Sequence, residues 1–201
     1  MNTITVVVVI IVVVLVAAVA VAATIRARRQ RSTHLQERFG SEYDRTVDDA
    51  GDQRTAEKDL KEREERRSQL EVTPLTGDAA HRYREQWNDI QQRFVDEPGD
   101  AVAQADRLVV QMMRECGYPV DEFDQRANDI SVDHPDVAHH YREAHGVAVA
   151  QSQGQADTEQ LRQAVTSYRQ LVDALLADDG STDHQKTQSR PQETNGTQEQ
   201  R

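Results

Sequence analysis

The first part of the chain is an unbroken apolar run. From Ile4 to Ile25 there is no charged residue, and the only polar members are Thr5 and Thr24. A helix rises about 1.5 Å per residue, so this run can cross a hydrocarbon core of roughly 30 Å. In lipid the backbone must satisfy its own hydrogen bonds, which favours helix despite the many β-branched residues. The pattern predicts a single transmembrane helix at residues 4–25.

Further along the chain, apolar residues recur three and four positions apart, the spacing of one helical face. The recurrence predicts helices at about 77–95, 100–116, 121–130, 135–150 and 158–177. No alternating strand pattern follows the apolar run. We therefore expect an all-α fold: one N-terminal transmembrane helix, a charged spacer helix, a small helical bundle and a disordered C-terminal tail.

A charged segment at residues 26–76 joins the apolar run to the bundle, and we interpret it as a juxtamembrane connector and spacer. Its main helix, predicted at 52–71, has few apolar residues, namely Ala56, Leu60 and Leu70. A coiled-coil seam is disfavoured because Arg67 lies one heptad after Leu60. Helix-stabilising pairs are expected at Glu57–Lys61, Asp59–Arg63 and Glu62–Arg66. The pattern indicates a solvated spacer helix.

The remaining ranges are an acidic bundle at 77–177 and a tail at 178–201. The tail consists largely of Asp, Gly, Ser, Thr and Gln, which cannot bury apolar area, so it is predicted to be disordered. Of the net charge of −11, residues 1–40 carry +4 and residues 181–201 carry zero, which leaves −15 for the middle. Such acidity disfavours binding to nucleic acid. The single cysteine excludes an intramolecular disulfide.

Four arginines follow the apolar run directly: Arg26, Arg28, Arg29 and Arg31. The positive-inside rule then places the N-terminus outside and the soluble domain in the cytoplasm, as a single-pass protein of the cell membrane. A cleaved signal peptide fits less well, since its apolar core is shorter and follows basic residues. An exported domain is the alternative. We interpret the arginines as a generic flank, because a dedicated anionic-lipid site usually has about 4–8 clustered basic residues.

Residues 134–145, HPDVAHHYREAH, hold four of the seven histidines. At about 100° per residue these histidines diverge around a helix, and Val137, Tyr141, Ala144 and Ala148 form its expected buried stripe. Two acid–histidine pairs remain as low-ranking metal candidates: Asp136 with His140, and His139 with Glu143. Each pair would need a ligand from another helix. Surface charge pairing is the competing interpretation, and it is the one we prefer.

No catalytic motif is present: the sequence has no HExxH, no GxSxG elbow and no glycine-rich phosphate loop. Cys116 ends an apolar helical face, where burial and the negative helix end disfavour a thiolate, so we expect core packing. We predict no enzyme and no cofactor. Exposed parts of two apolar stripes are the candidate partner surface, with Tyr83, Trp87, Phe94 and Tyr168 as its residues.

Two stretches of the chain are specific enough to compare with known families: RFGSEYDR (38–45) and the region from YPV (118–120) to SVDHP (131–135). With several less specific stretches, they resemble a family of small bacterial membrane-anchored helical proteins of unknown function, of the hypothetical or "secreted protein" type. The likeness covers most of residues 37–175. It implies a bacterial, anchored, helical protein, and it implies no activity, cofactor or catalytic residue.

Together these observations predict a membrane-tethered, non-catalytic interaction or regulatory module. Membrane lipid contacts the N-terminal helix, and a protein partner or self-association would stabilise a bundle of modest apolar content. The alternative is a metal-binding sensor or enzyme centred on residues 134–145.

Overall fold

The computed structural model describes the backbone of residues 3–177 and the side chains of residues 12, 15–20, 22–24, 26 and 29–177. Within these ranges it has eight helices and no strand, so the all-α prediction is confirmed. The helices are α1 (Thr3–Phe39), α2 (Ser41–Ala50), α3 (Gln53–Ser68), α4 (Gly77–Arg93), α5 (Pro98–Cys116), α6 (Phe123–Asp133), α7 (Pro135–Ser152) and α8 (Thr158–Ala177). The predicted tail at 178–201 lies outside the described residues.

Helix α1 extends well beyond the predicted segment 4–25 and ends only at Phe39. Gly40 follows with a φ of 48°, a conformation that glycine adopts readily, and the chain then starts α2 in a new direction. Across the part of the chain that the structure describes, no helix is both long and apolar enough to cross a membrane.

Two compact units make up the chain. Unit 1 contains the described residues of 1–69 and Asn128–Asp136, and unit 2 contains Leu70–Ala127 and the described residues from Val137 onward. The predicted ranges 26–76 and 77–177 divide the chain by expected role, and they stay a prediction.

The core of unit 1 is a small hydrophobic cluster. Its buried members are Leu35, Phe39, Tyr43, Leu60 and Val132, with Val47 packed against them. The last turns of α1, together with α2 and α3, supply all of these residues except Val132, which comes from α6. The RFGSEYDR stretch is therefore the centre of this unit, with its Phe and Tyr in the core.

The spacer prediction for residues 52–71 is wrong for α3, which buries Ala56, Leu60 and Arg63. These positions are four and three residues apart and form one face, which packs on α1 and α2. Among the pairs expected from sequence, Asp59–Arg63 forms. Helix α3 is thus part of a packed unit rather than a solvated rod, because large side chains on α1 and α2 compensate for its own narrow apolar stripe.

In unit 2, helix α5 packs against α4 and α8. The predicted apolar faces are buried at Ala80, Tyr83, Trp87, Ile90, Val102, Ala105, Leu108, Val109, Met112, Cys116, Leu161, Ala164, Tyr168, Leu171, Val172 and Leu175. Phe94 and Val165 are half-buried. Core packing of Cys116 is confirmed, since it is only 4% exposed.

The orientation of α7 differs from the prediction. Its buried residues are Ala138, Tyr141 and Ala144, whereas Val137 and Ala148 are half-buried. The buried face is therefore rotated toward Ala138, which also turns His145 toward the interior.

Three helix ends carry local capping interactions. Asp157 and Gln160 form a reciprocal capping box at the start of α8, with both N–H···O distances at 2.8 Å. The Thr76 hydroxyl accepts a hydrogen bond from the Ala79 amide at the start of α4. Gly117 ends α5 in the left-handed conformation, with φ of 97°.

Candidate functional site

The histidine-rich helix brings three of its four metal candidates together. Nε2 of His139 lies 3.4 Å from one carboxylate oxygen of Glu143, and Nδ1 of His140 lies 3.5 Å from the other. The side chains of His139 and Glu143 are 56% and 46% exposed. Asp136, the fourth candidate, is exposed near the start of α7. His139 and Glu143 form a solvated charge pair, which contributes little to stability, whereas His140 is half-buried and its Nδ1 is a buried atom without a hydrogen bond.

Within the described residues, no group of three or more His, Cys, Asp or Glu side chains is placed to hold a metal ion. This finding includes the cluster around Glu143. The preferred interpretation of this stretch, surface charge pairing, matches the observed contacts.

A second polar cluster, in unit 2, was not predicted from the sequence. One carboxylate oxygen of Asp106 (Oδ1) lies 3.0 Å from Nδ1 of His145 and accepts a hydrogen bond of 2.7 Å from the Tyr168 hydroxyl. Asp106 is on α5, His145 on α7 and Tyr168 on α8. We call these three residues the Asp106 cluster. It connects three helices through one oxygen atom.

Aromatic and cationic groups surround the Asp106 cluster. The Phe123 ring stacks on His145, with centroids 3.8 Å apart and planes 11° from parallel. Nε of Arg126 donates to the Tyr141 hydroxyl at 3.1 Å, and its Nη1 donates to the Val120 carbonyl at 2.6 Å. The Arg126 guanidinium also lies 5.7 Å from the Phe123 ring centroid, within cation–π range.

These surroundings shift the ionisation of three groups. Burial acts to raise the pKa of Asp106, but hydrogen bonds from His145 and Tyr168 outweigh it and hold that pKa below its ordinary value. Burial and the neighbouring Asp106 charge raise the pKa of Tyr168 far above its ordinary value. Burial also raises the pKa of Tyr141, against the opposing effect of Arg126. At neutral pH the Asp106 cluster therefore holds a carboxylate and the neutral phenol of Tyr168, and the neighbouring Tyr141 is also neutral.

A carboxylate that fixes one imidazole nitrogen is also the geometry of an acid–base pair. Here, however, the Tyr168 hydroxyl donates to the same carboxylate oxygen and the Phe123 ring stacks on the imidazole, while the side chains of His145 and Asp106 are each 23% exposed. A groove of about 370 Å³ in unit 2 is lined elsewhere, by Gln86, Asp89, Ile90, Arg93, Gln104, Arg107, Leu108 and Gln111. The contacts of the Asp106 cluster are those of a cross-helix structural network.

Three of the four candidate partner residues are buried within unit 2. Tyr83, Trp87 and Tyr168 are 7%, 5% and 0% exposed, respectively, and Phe94 is half-buried. The hydroxyl of Tyr83 donates to Glu115 at 2.7 Å. Packing in the folded chain leaves Phe94 as the candidate with surface available, next to Val95, which is 82% exposed.

Unit 1 contains a groove of about 700 Å³ at the junction of α1 and α3. It is lined by Arg29, Arg31, Ser32, Thr33, Gln53, Arg54 and Glu57. The Glu57 carboxylate accepts hydrogen bonds from Tyr43 at 2.9 Å and Gln53 at 2.8 Å, and one from Ser32. Arg54 belongs to this groove although it is more than twenty residues from the other two arginines. Sequence reasoning missed it because the spacer prediction kept α3 apart from α1.

Comparison with known proteins found no matching family model and no significantly similar curated protein or solved structure. The resemblance noted from the sequence therefore stays a prediction.

Proposed function

We propose that the chain is a membrane-tethered, non-catalytic interaction or regulatory module. In this proposal residues 4–25 anchor the chain in the membrane, and the helical units are held at its cytoplasmic face. The observation that carries the proposal is the continuity of α1. One helix runs from Thr3 to Phe39, and its last turn supplies Leu35 and Phe39 to the core of unit 1.

This continuity supports a stiff connection between anchor and domain. Ten residues separate Ile25 from Leu35, or about 15 Å along a helix. Unit 1 would then fold directly beside the lipid headgroups, with no flexible linker in between. A helical tether of this kind fixes the distance of unit 1 from the membrane and its orientation relative to the membrane.

Exposed apolar side chains on α1 support the anchor. Val12, Leu15, Val16 and Val19 are 52%, 59%, 63% and 68% exposed, respectively. Four neighbouring large apolar residues left open on one helix are costly in water and favourable in lipid. The uncharged sequence of residues 4–25 points the same way.

The proposed topology has the N-terminus outside, on account of the arginines that follow residue 25. Chemical labelling tests it in cells that express the full chain. Cys116 is buried, so a Cys116→Ala variant carrying Gln155→Cys has one thiol in an exposed turn of unit 2. A membrane-impermeant maleimide should label this thiol only after lysis. Labelling of intact cells would support the exported-domain alternative instead.

Membrane fractionation with an alkaline wash tests the anchor itself. The full chain should stay in the pellet, and a variant with several aspartates between residues 12 and 19 should not. Release of the unaltered chain by the wash would contradict the proposal.

We place the partner surface at Phe94 and Val95, where α4 ends. A photo-crosslinking residue at position 95 tests this in native membranes, with position 149 as control, since Val149 is an exposed residue of α7 in the same unit. A discrete adduct from position 95 alone would support a protein partner, and an adduct of twice the chain mass would indicate self-association. Identical patterns from both positions would count against this surface.

A further inference from the structure

We propose that the groove at the junction of α1 and α3 binds the phosphate group of anionic phospholipids. The inference rests on the proposed anchor, because the anchor brings the groove to the membrane. The ligand class is a phosphodiester headgroup that carries net negative charge. We define the headgroup groove as Arg29, Arg31 and Arg54 with the polar side chains between them.

Charge at the groove favours an anion. Three guanidinium groups and the single carboxylate of Glu57 line it. In the part of the chain that the structure describes, none of these three arginines forms an ion pair with a side chain. Two further acids lie near the groove. Asp52, the N-cap of α3, accepts a hydrogen bond from the Thr55 amide, and Glu37 lines a neighbouring cavity together with Arg29, Arg26 and Thr33.

Other arginines of unit 1 form ion pairs with acidic side chains of the same unit. Arg38 pairs with Glu64 at 3.0 Å, and Arg66 pairs with Asp129 at 3.1 Å. Arg63 is held by Glu42 at 2.8 Å. Unit 1 therefore neutralises Arg38, Arg63 and Arg66 with its own acids, whereas the three groove arginines have no such ion pair among the described side chains.

The expected depth of the groove in the bilayer also favours a phosphate ligand. Arg29 lies four residues beyond Ile25, which is about 6 Å along a helix. The polar headgroup layer is about 5–8 Å thick on each side of the hydrocarbon core. If the apolar run fills the core, the groove opens at the level of the lipid phosphates.

The donors in the groove suit a phosphate. Arginine presents a planar fork that matches phosphate oxygens with two parallel hydrogen bonds. Thr33 and Gln53 line the same opening, but the Thr33 hydroxyl already donates to the Arg29 carbonyl and the Gln53 amide to Glu57. The three guanidinium groups are therefore the donors that a phosphate would use. Because Arg54 comes from α3, the three-arginine arrangement exists only when unit 1 is folded. This distinguishes the groove from the generic basic flank that the sequence indicates.

The test compares lipid selectivity of the full chain in vesicles. Spin-labelled phosphatidylglycerol and phosphatidylcholine report the immobilised fraction of each lipid around the protein. Wild type should prefer phosphatidylglycerol, and R29Q/R31Q/R54Q should lose at least about tenfold in relative affinity, since each basic residue near an anionic surface contributes about a fivefold factor. R29K/R31K/R54K keeps the charge but loses the planar fork, so it should lose a measurable part of the preference. Full retention in this variant would indicate a generic basic flank and would overturn the headgroup groove.

A matched control removes three exposed arginines of unit 2, as R93Q/R107Q/R114Q. It changes net charge equally and should leave the preference intact. An equal loss in this control, or no preference in wild type, would overturn the headgroup groove. Competition by inorganic phosphate at millimolar concentration would also overturn it, by indicating a soluble anion.

Insertion of the chain into vesicles is measured separately from its preference for the anionic lipid. A chain that inserts into phosphatidylcholine vesicles but shows no preference for the anionic lipid overturns the groove alone. A chain that inserts into neither type of vesicle overturns the anchor and, with it, the groove.

Discussion

Nη1 of Arg63 donates to Oε1 of Glu42 at 2.8 Å inside unit 1, where the two side chains are 5% and 0% exposed. Nε and Nη2 of Arg45 also donate to the Glu42 carboxylate, at 3.1 and 2.9 Å. Two guanidinium groups thus hold one buried carboxylate between α2 and α3. A buried ion pair of this kind costs desolvation, so it is a device for fixing geometry more than a source of net stability.

Replacing Glu42 with Ala should destabilise unit 1 by up to about 3–5 kcal/mol, because the buried Arg63 then keeps only the half-exposed Asp59 carboxylate as its ion-pair partner. Native-state hydrogen exchange at the amides of α2 and α3 measures this loss of stability within unit 1. Glu62→Ala is the matched control, since Glu62 pairs with Lys58 on the surface and its loss should cost less than about 1 kcal/mol.

A double replacement, E42L/R63M, removes both charges and should recover most of the exchange protection lost in Glu42→Ala. If the double variant is as unprotected as the single one, the pair contributes through specific hydrogen bonds rather than through the cost of a lone buried charge.

Local signals were sufficient to predict much of the fold. The bounds of α8 at residues 158–177 agree with the structure, because the capping box and the periodic apolar face lie within the segment itself. The end of α5 at Cys116 was equally clear from the glycine that follows. Interactions between segments were not predictable in the same way.

The Asp106 cluster shows why. Asp106 and His145 are 39 positions apart, and nothing in either neighbourhood indicates that α5 and α7 meet there. The apolar pattern predicts an α7 stripe that includes Val137, whereas the structure buries Ala138, and this rotation of the helix brings His145 to Asp106. Similarly, α3 has one leucine in its buried face, and only the side chains on α1 and α2 make that face a core.

Alanine at both His139 and His140 should change the free energy of unfolding of unit 2 by less than about 1 kcal/mol, because the His139–Glu143 pair is solvated and the buried Nδ1 of His140 has no hydrogen bond to lose. Urea unfolding followed by Trp87 fluorescence measures this, since Trp87 is the single tryptophan and is buried in unit 2. A chelator should leave the unfolding midpoint unchanged. Stoichiometric zinc that is lost in the double variant would instead revive the metal-sensor alternative.

Gly117→Ala should destabilise unit 2 by about 2 kcal/mol or more. Its φ of 97° disfavours any side chain, and an added Cβ would lie 2.5 Å from the Glu71 carbonyl oxygen, a backbone atom that cannot move alone. Gly146→Ala is the control: it lies in α7 with open space around its Cβ, and it should stabilise by about 0.5–1 kcal/mol. Trp87 fluorescence reports both variants, and a neutral Gly117→Ala would contradict the close approach.

Asp106→Asn should make unit 2 less stable by about 1–2 kcal/mol near neutral pH, since a charge-assisted acceptor for Tyr168 and His145 is lost. The pKa of Asp106 is lowered in the folded chain, so its contribution is present above the ordinary value of about 4 and is lost as pH falls through the folded value. The gap between wild type and variant, from urea unfolding of Trp87, should therefore narrow below pH about 4. Asp173→Asn, an exposed change on α8, should show no such gap. A gap that stays constant from pH 7 to pH 3, or that closes near pH 6 where histidine titrates, would assign the effect to another group.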